Sequence, residues 1–229
     1  MLIYAHRGSS AVSPENSLAA FTQAITDRAD GVELDLRATA DGVPVVLHDR
    51  SLARTTVGRR NVDDLPVATL REVDAGDGHP VPTLVEVLDL LAGRLPLDLE
   101  IKQAGIERAI LSVLRQYPAA EWVISSFDWA ILRAVRAESE TAQLWPLAIV
   151  ADDALFSVAR ELGSAQVALD AAVITPDVMV RCAENSLGVM AWTVDEVAEA
   201  RRLRNLGVQI LCTNSPGSMR VALMGGVSD

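Results

Sequence analysis

The sequence predicts an α/β protein in which eight parallel strands alternate with helices and close into a (β/α)8 barrel. Three observations carry this. The chain has 229 residues, a length that suits one compact barrel. Short apolar, β-rich runs alternate with helix-period segments, which favours a parallel sheet with helical crossovers, and a count of eight favours closure. An open, doubly wound sheet would carry a Gly-rich phosphate turn after its first strand, and none follows here.

The eight strand runs are Leu2–Ala5, Val32–Leu36, Leu95–Ile101, Trp122–Phe127, Leu144–Val150, Gln166–Leu169, Gly188–Thr193 and Val208–Thr213. Helical periodicity follows most of them, as in Ser17–Asp27, Ile106–Gln116, Trp129–Glu138, Ala154–Leu162, Asp177–Asn185 and Asp195–Leu206. The whole chain, 1–229, reads as one catalytic barrel domain with a small insertion at about 37–82. That insertion opens on a hairpin signal, Asp41-Gly42, between two strand-like runs. With Asp41 and Gly42 as the two loop residues, Asp35 faces His48 across the hairpin, and Glu33 shares their face by the period of two. A bulge would shift this register.

Half of the residues are apolar and 22% are charged, with a net charge of −11. Such a chain can bury a real core, and disorder is expected only around Gly225–Asp229. The acidic surface argues against nucleic acid and anionic membranes as partners, so an anionic small-molecule substrate must be drawn in by local cations or a metal. The N-terminal residues lack a signal-peptide pattern, no run of about 20 apolar residues exists to span a bilayer, and no amphipathic anchor is evident. Cys182 and Cys212 lie in apolar surroundings and read as reduced core residues. The expectation is a cytoplasmic protein with no stable membrane anchor.

In barrels of this kind the site lies at the C-terminal strand ends. There the sequence puts His6 and Arg7, Glu33 and Asp35, Glu100 and Lys102, Phe127, Trp192 and Asn214. Any one of the acids alone could cap or pair at the rim. Glu33, Asp35 and Glu100 on neighbouring strands repel one another unless a cation sits between them, and hard oxygen ligands suit one Mg²⁺ or Ca²⁺. His6 and His48 beside them can act as acid and base near neutrality. His79, in a Gly-rich loop, reads as a surface residue. Arg7 and Lys102 can bind phosphate oxygens or pair with the carboxylates, and Lys102 can do both. Phe127 and Trp192 read either as core aromatics or as walls of a substrate pocket. Pro14-Glu15-Asn16-Ser17 reads as a helix start capped by Asn16 or Ser17, with Glu15 also able to orient a catalytic group.

Taken in order, several segments resemble the glycerophosphodiester phosphodiesterase family. They are His6-Arg7-Gly8, Pro14-Glu15-Asn16-Ser17, Glu33-Leu34-Asp35, the Asp41-Gly42…His48-Asp49 hairpin, Pro82-Thr83-Leu84, Glu100-Ile101-Lys102, Ser126-Phe127 and Trp192-Thr193-Val194. The resemblance implies a TIM-type barrel and hydrolysis of glycerophosphodiesters to an alcohol and sn-glycerol 3-phosphate with Mg²⁺ or Ca²⁺. By matching motif it implies Glu33, Asp35 and Glu100 as metal ligands, His6 and His48 as the acid–base pair, and Arg7 and Lys102 on the phosphate. Two positions depart from the family pattern. Ser17 replaces a usual Thr, and Asn214 replaces a usual Asp, which removes a charge near the rim. Rival readings are a lysophospholipase D-like or phosphoinositide-type phosphodiesterase, which would call for an apolar or basic membrane-facing rim, and a non-catalytic phosphodiester-binding barrel, which would have no need of both histidines.

Overall fold

The computed structural model of the protein describes residues 1–76 and 78–224, so the disorder expected around 225–229 lies outside the described residues. Its strands are β1 (Leu2–His6), β2 (Gly31–Ala38), β3 (Pro44–Val46), β4 (Leu97–Ile101), β5 (Trp122–Ser126), β6 (Leu144–Ala148), β7 (Gln166–Asp170), β8 (Gly188–Trp192) and β9 (Ile210–Thr213). They pair in the order β1-β9-β8-β7-β6-β5-β4-β2, and β2 returns to β1, so eight parallel strands form a closed barrel. The short β3 runs antiparallel on β2. The eight runs read from the sequence are the eight barrel strands, with their ends displaced by no more than two residues.

Helices join the strands: α1 (Leu18–Thr26), α2 (Val67–Leu70), α3 (Leu84–Leu91), α4 (Glu107–Leu114), α5 (Trp129–Glu138), α6 (Asp153–Glu161), α7 (Pro176–Glu184), α8 (Val197–Asn205) and α9 (Pro216–Met224). Two of the longer ones fall outside the helical segments named from the sequence. Their start signals are nonetheless visible: Thr83 and Glu86 close a reciprocal capping box at α3, and Pro216 opens α9. At α1 the cap is Ser17, whose Oγ accepts from the Ala20 amide at 3.1 Å. Asn16 is used otherwise, as described below.

Strand alternation divides the core. Leu34 and Leu36 of β2 and Leu97, Leu99 and Ile101 of β4 point outward and pack with the buried faces of α1, α3 and α4. Inside the barrel, Tyr4, Trp145, Leu147, Ala168, Met190, Ile210 and Cys212 form an apolar filling. Gly31 is dictated by that filling, because a Cβ there would lie 2.4 Å from the Tyr4 ring. The inward positions of β2 and β4 carry Glu33, Asp35, Asp98 and Glu100 instead, all buried. One sector of the interior is thus acidic, and it lies beside His6 at the end of β1.

The hairpin register differs from the expected one. Leu36 pairs with Val46, Arg37 with Val45 and Ala38 with Pro44. The Leu47 amide donates to the Asp35 carbonyl at 2.9 Å, so Leu47, not His48, opposes Asp35. The reason is the loop. Gly42 adopts a left-handed φ of +79°, its amide reaches the Thr39 carbonyl, and the Thr39 amide reaches the Val43 carbonyl. The loop is therefore three residues, Ala40 to Gly42, and the third residue slips the ladder by one. Val45 and Leu47 turn into a satellite core with Leu52, Val62, Leu65, Leu70 and Val81, which ties the segment after β3 to the barrel rim.

Candidate active site

Strand register assembles the carboxylate cluster and sets His6 beside it. Pairing of β1 with β2 sets His6 beside Glu33. Pairing of β2 with β4 sets Asp35 beside Glu100. One oxygen from each of Glu33, Asp35 and Glu100 lies within 4.8 Å of the other two. Above them opens a cavity of about 150 Å³ lined by His6, Arg7, Glu33, His48, Glu100, Lys102, Phe127 and Trp192, among others. Eight of the nine residues read as metal ligands, acid–base groups or substrate contacts share this wall. The ninth, Asp35, is fully buried behind it. His48 reaches the cavity despite the shifted register, because β3 ends at Val46 and the chain bends past Leu47, releasing His48 from strand alternation. His79 is exposed, as expected, and lies off the cavity.

Each candidate side chain is held by a neighbour. Arg7, with a left-handed φ of 56°, donates its amide to Glu33 Oε2 at 3.0 Å. Its guanidinium lies 3.1 Å from Asp35 and 2.8 Å from Glu15. Lys102 Nζ contacts Glu100 at 2.5 Å and Asp35 at 3.3 Å and sits 5.6 Å from the centre of the Phe127 ring. Phe127 and Trp192 meet edge to face at 5.2 Å. Asn16 donates its side-chain amide to Asp35 Oδ2 at 2.8 Å, so this residue serves the carboxylate cluster and leaves the cap to Ser17.

The two histidines have different supports. Asn214 donates Nδ2 to Asp195 Oδ2 at 2.6 Å. That bond orients the amide, so its Oδ1 faces His6 Nδ1 at 2.8 Å and Ser10 Oγ at 2.7 Å. An amide oxygen only accepts, so the network assigns the proton to His6 Nδ1 and leaves Nε2, 3.9 Å from Glu33, as the basic nitrogen. His48 Nδ1 instead faces a carboxylate, Asp49 Oδ1, at 2.6 Å. Arg54 binds the other Asp49 oxygen and, through two further bonds, Glu15. One arginine of the insertion thereby braces His48 through Asp49 and Arg7 through Glu15.

The charges follow from burial. Burial, then the charges of Asp35, Glu100 and Asp98, push Glu33 well above the usual carboxylate range. Burial and Asp35 raise Glu100 to about 7, against the pull of Lys102. Burial lowers His6, and the charge of Arg7 adds to the effect. Burial also lowers His48, opposed by Asp35 and Asp49. The hydrogen bond from Arg54 brings Asp49 down to about 2. Burial lifts Asp98, deeper in the barrel, to about 7.

The chain matches the model of the glycerophosphoryl diester phosphodiesterase family over residues 6–218. It belongs to that family. A glycerophosphodiester phosphodiesterase of Caldanaerobacter subterraneus is 32% identical over 232 residues, spanning 95% of this chain and 96% of that protein. A phosphodiesterase of Oleispira antarctica, solved in complex with its product sn-glycerol-3-phosphate, superposes with a TM-score of 0.93 at 26% identity, over 98% of this chain and 97% of that one. The glycerophosphodiester phosphodiesterase of Agrobacterium tumefaciens superposes with a TM-score of 0.85 at 25% identity, over 96% of this chain and 98% of that one. The sequence resemblance is therefore a true kinship, and the expected enzyme class, a phosphoric diester hydrolase, is that of the family. Within it, this chain's Asn214 retains a place at the site as the partner of His6. Sequence reasoning passed over Asp49 and Arg54, although a carboxylate directly after His48 was a signal for the first.

Proposed function

We propose that this chain hydrolyses glycerophosphodiesters to an alcohol and sn-glycerol 3-phosphate, acting as one catalytic barrel in which the insertion braces the site. The observation that carries the reading is the convergence, on one cavity of a family member, of a three-carboxylate cluster, two oppositely supported histidines and two cations. The product named for the Oleispira enzyme supports the same substrate class.

The carboxylate cluster fits one divalent cation, Mg²⁺ or Ca²⁺. All its donors are oxygens, which such hard cations require. Asp35 Oδ1 is buried with no hydrogen-bond partner, only an ion contact to Lys102 at 3.3 Å, and burial together with the neighbouring carboxylates raises Glu33 and Glu100. When bound, the ion would supply Lewis-acid stabilisation of the negative charge that builds on the phosphoryl oxygens.

The chain's own residues account for the rest. Arg7 and Lys102 face the phosphate and offset its charge. His6 Nε2 accepts the proton of the glycerol 2-hydroxyl, whose oxygen attacks phosphorus as the bond to the alcohol oxygen breaks. His48, its imidazolium favoured by Asp49, gives a proton to that departing oxygen. In a second step the roles reverse: His48 takes a proton from water, the water oxygen opens the cyclic phosphate, and His6 returns its proton to the 2-hydroxyl. Phe127 and Trp192 wall the mouth. The acidic composition and the two buried free thiols support a cytoplasmic setting, and no described helix is long and apolar enough to cross a membrane.

Product analysis by phosphorus NMR tests the reading. Glycerophosphocholine should yield sn-glycerol 3-phosphate and choline, with a transient cyclic phosphate. Phosphocholine and glycerol as products would contradict it.

A further inference from the structure

Beside the carboxylate cluster the same cavity is lined by Asp98 and Ser125, which strand register pairs with Glu33 and Glu100, together with Leu147, Met190 and Cys212. Both polar residues are inaccessible to solvent, at 1% and 0% exposure. Ser125 is near enough to Asp98 to influence its carboxyl. Yet neither Asp98 Oδ1 nor Ser125 Oγ finds a partner of hydrogen-bond geometry among the described residues. Buried polar atoms without partners are destabilising and rare, and each calls for an explanation. The apolar neighbours offer these two nothing.

We propose that Asp98 and Ser125 form a hydroxyl-binding floor that receives the glycerol end of the substrate and so selects polyol phosphodiesters. The inference rests on the substrate class proposed above and assigns its specificity to two residues that the chemical steps do not use. The direction of binding follows from charge. Arg7 and Lys102 belong to the rim, so the phosphate stays there, since a phosphate driven inward would meet the Asp98 carboxyl. A hydroxyl suits the floor, because it can donate its one proton to Asp98 Oδ1 and accept from the Ser125 hydroxyl. Leu147 and Met190 offer apolar contact to the carbon chain between the hydroxyls. The cavity's volume of about 150 Å³ is roughly ten times the ~10–15 Å³ that one water needs, which leaves room for a three-carbon polyol. The departing alcohol then projects past Phe127, which is 44% exposed.

A site built to hydrogen-bond a hydroxyl discriminates strongly against analogues that lack it. The test is calorimetric binding of two probes, sn-glycerol 3-phosphate and methyl phosphate, to the Mg²⁺-loaded enzyme and to its Asp98→Leu, Asp98→Asn and Ser125→Ala variants. Wild type should bind glycerol 3-phosphate more tightly than methyl phosphate by about tenfold or more. Asp98→Leu and Ser125→Ala should each erase most of that difference while leaving methyl phosphate within about twofold, and Asp98→Asn, which keeps a hydrogen-bonding group, should preserve it. Melting temperatures exclude a folding defect, and Ser125→Ala, a smaller change, stands in if Asp98→Leu fails to fold. Equal weakening of both probes, or no preference in wild type, would overturn the floor. Turnover of glycerophosphocholine reports separately on the substrate class. A floor that binds glycerol 3-phosphate in an enzyme inert towards the diester would contradict the proposed function alone, and turnover with an Asp98-independent preference would contradict the floor alone.

Discussion

Replacing Glu100 with Gln separates a cation site from a structural ion pair. In the protein without divalent cation, the Glu100 carboxyl is raised from 4.5 to about 7 by burial and the nearby Asp35 charge. The folded protein therefore binds more protons than the unfolded chain between those values, and stability falls as pH rises from about 4.5 through about 7. A rise from 4.5 to about 7 corresponds to about 3 kcal/mol once the group is fully ionised. Glu100→Gln removes this penalty while leaving an amide oxygen for Lys102, which also keeps Asp35 at 3.3 Å. In excess chelator at pH 8, the variant should thus be more stable than wild type by about 3 kcal/mol, or roughly 6–12 °C in melting temperature for a chain of this size. Near pH 4.5 the two should coincide. Added Mg²⁺ or Ca²⁺ at pH 8 should raise the wild-type melting temperature by mass action and leave the variant nearly unmoved. Urea and thermal unfolding at both pH values measure all of this. A variant less stable than wild type at pH 8 in chelator would show that Glu100 serves chiefly to pair with Lys102, and would refute the reasoning.

Further outcomes follow from the same geometry. His6→Ala and His48→Ala should each remove most turnover without abolishing divalent-cation binding, which steady-state kinetics and calorimetry separate. A substrate analogue lacking the 2-hydroxyl should bind comparably but turn over at least about a hundredfold more slowly, since intramolecular positioning can be worth effective molarities of about 10⁵ M or more; comparable turnover would point to direct attack by water. Asn214→Asp puts a carboxylate on His6 Nδ1 and stabilises the imidazolium, so the rising, acid-side limb of the kcat/KM profile should move to higher pH, whereas His6 in the native protein titrates below its ordinary value. Arg54→Ala should release Asp49 and Glu15 together, letting the Asp49 carboxyl rise from about 2 and lowering kcat, with the Asp49 shift read by NMR.

Much of this was legible because barrels turn sequence spacing into geometry. Strand alternation with helices gave the eight strands, and residues two apart, Glu33 with Asp35 and Glu100 with Lys102, had to share the inner face. The hairpin register was not legible, because whether Ala40 joins Asp41 and Gly42 in the loop depends on the left-handed conformation of Gly42 and on the packing of Val45 and Leu47 into the satellite core. Asn214 lies 208 positions from His6, and the two meet only because β9 closes the barrel against β1. Arg54 reaches Glu15 and Asp49 from a loop whose path is set by that satellite core. Asn16 looked like a cap by residue type, yet its left-handed backbone aims it at Asp35. Asp98 and Ser125 were not picked out from the sequence, and their lack of partners is a property of the folded interior alone.

The most direct test of the central claim is release of sn-glycerol 3-phosphate from a panel of glycerophosphodiesters, with and without chelator. Release should be rapid, should stop in excess chelator and should return when Mg²⁺ or Ca²⁺ is restored. Undiminished release in chelator would contradict the cation site, and no release from any member of the panel would contradict the proposed reaction.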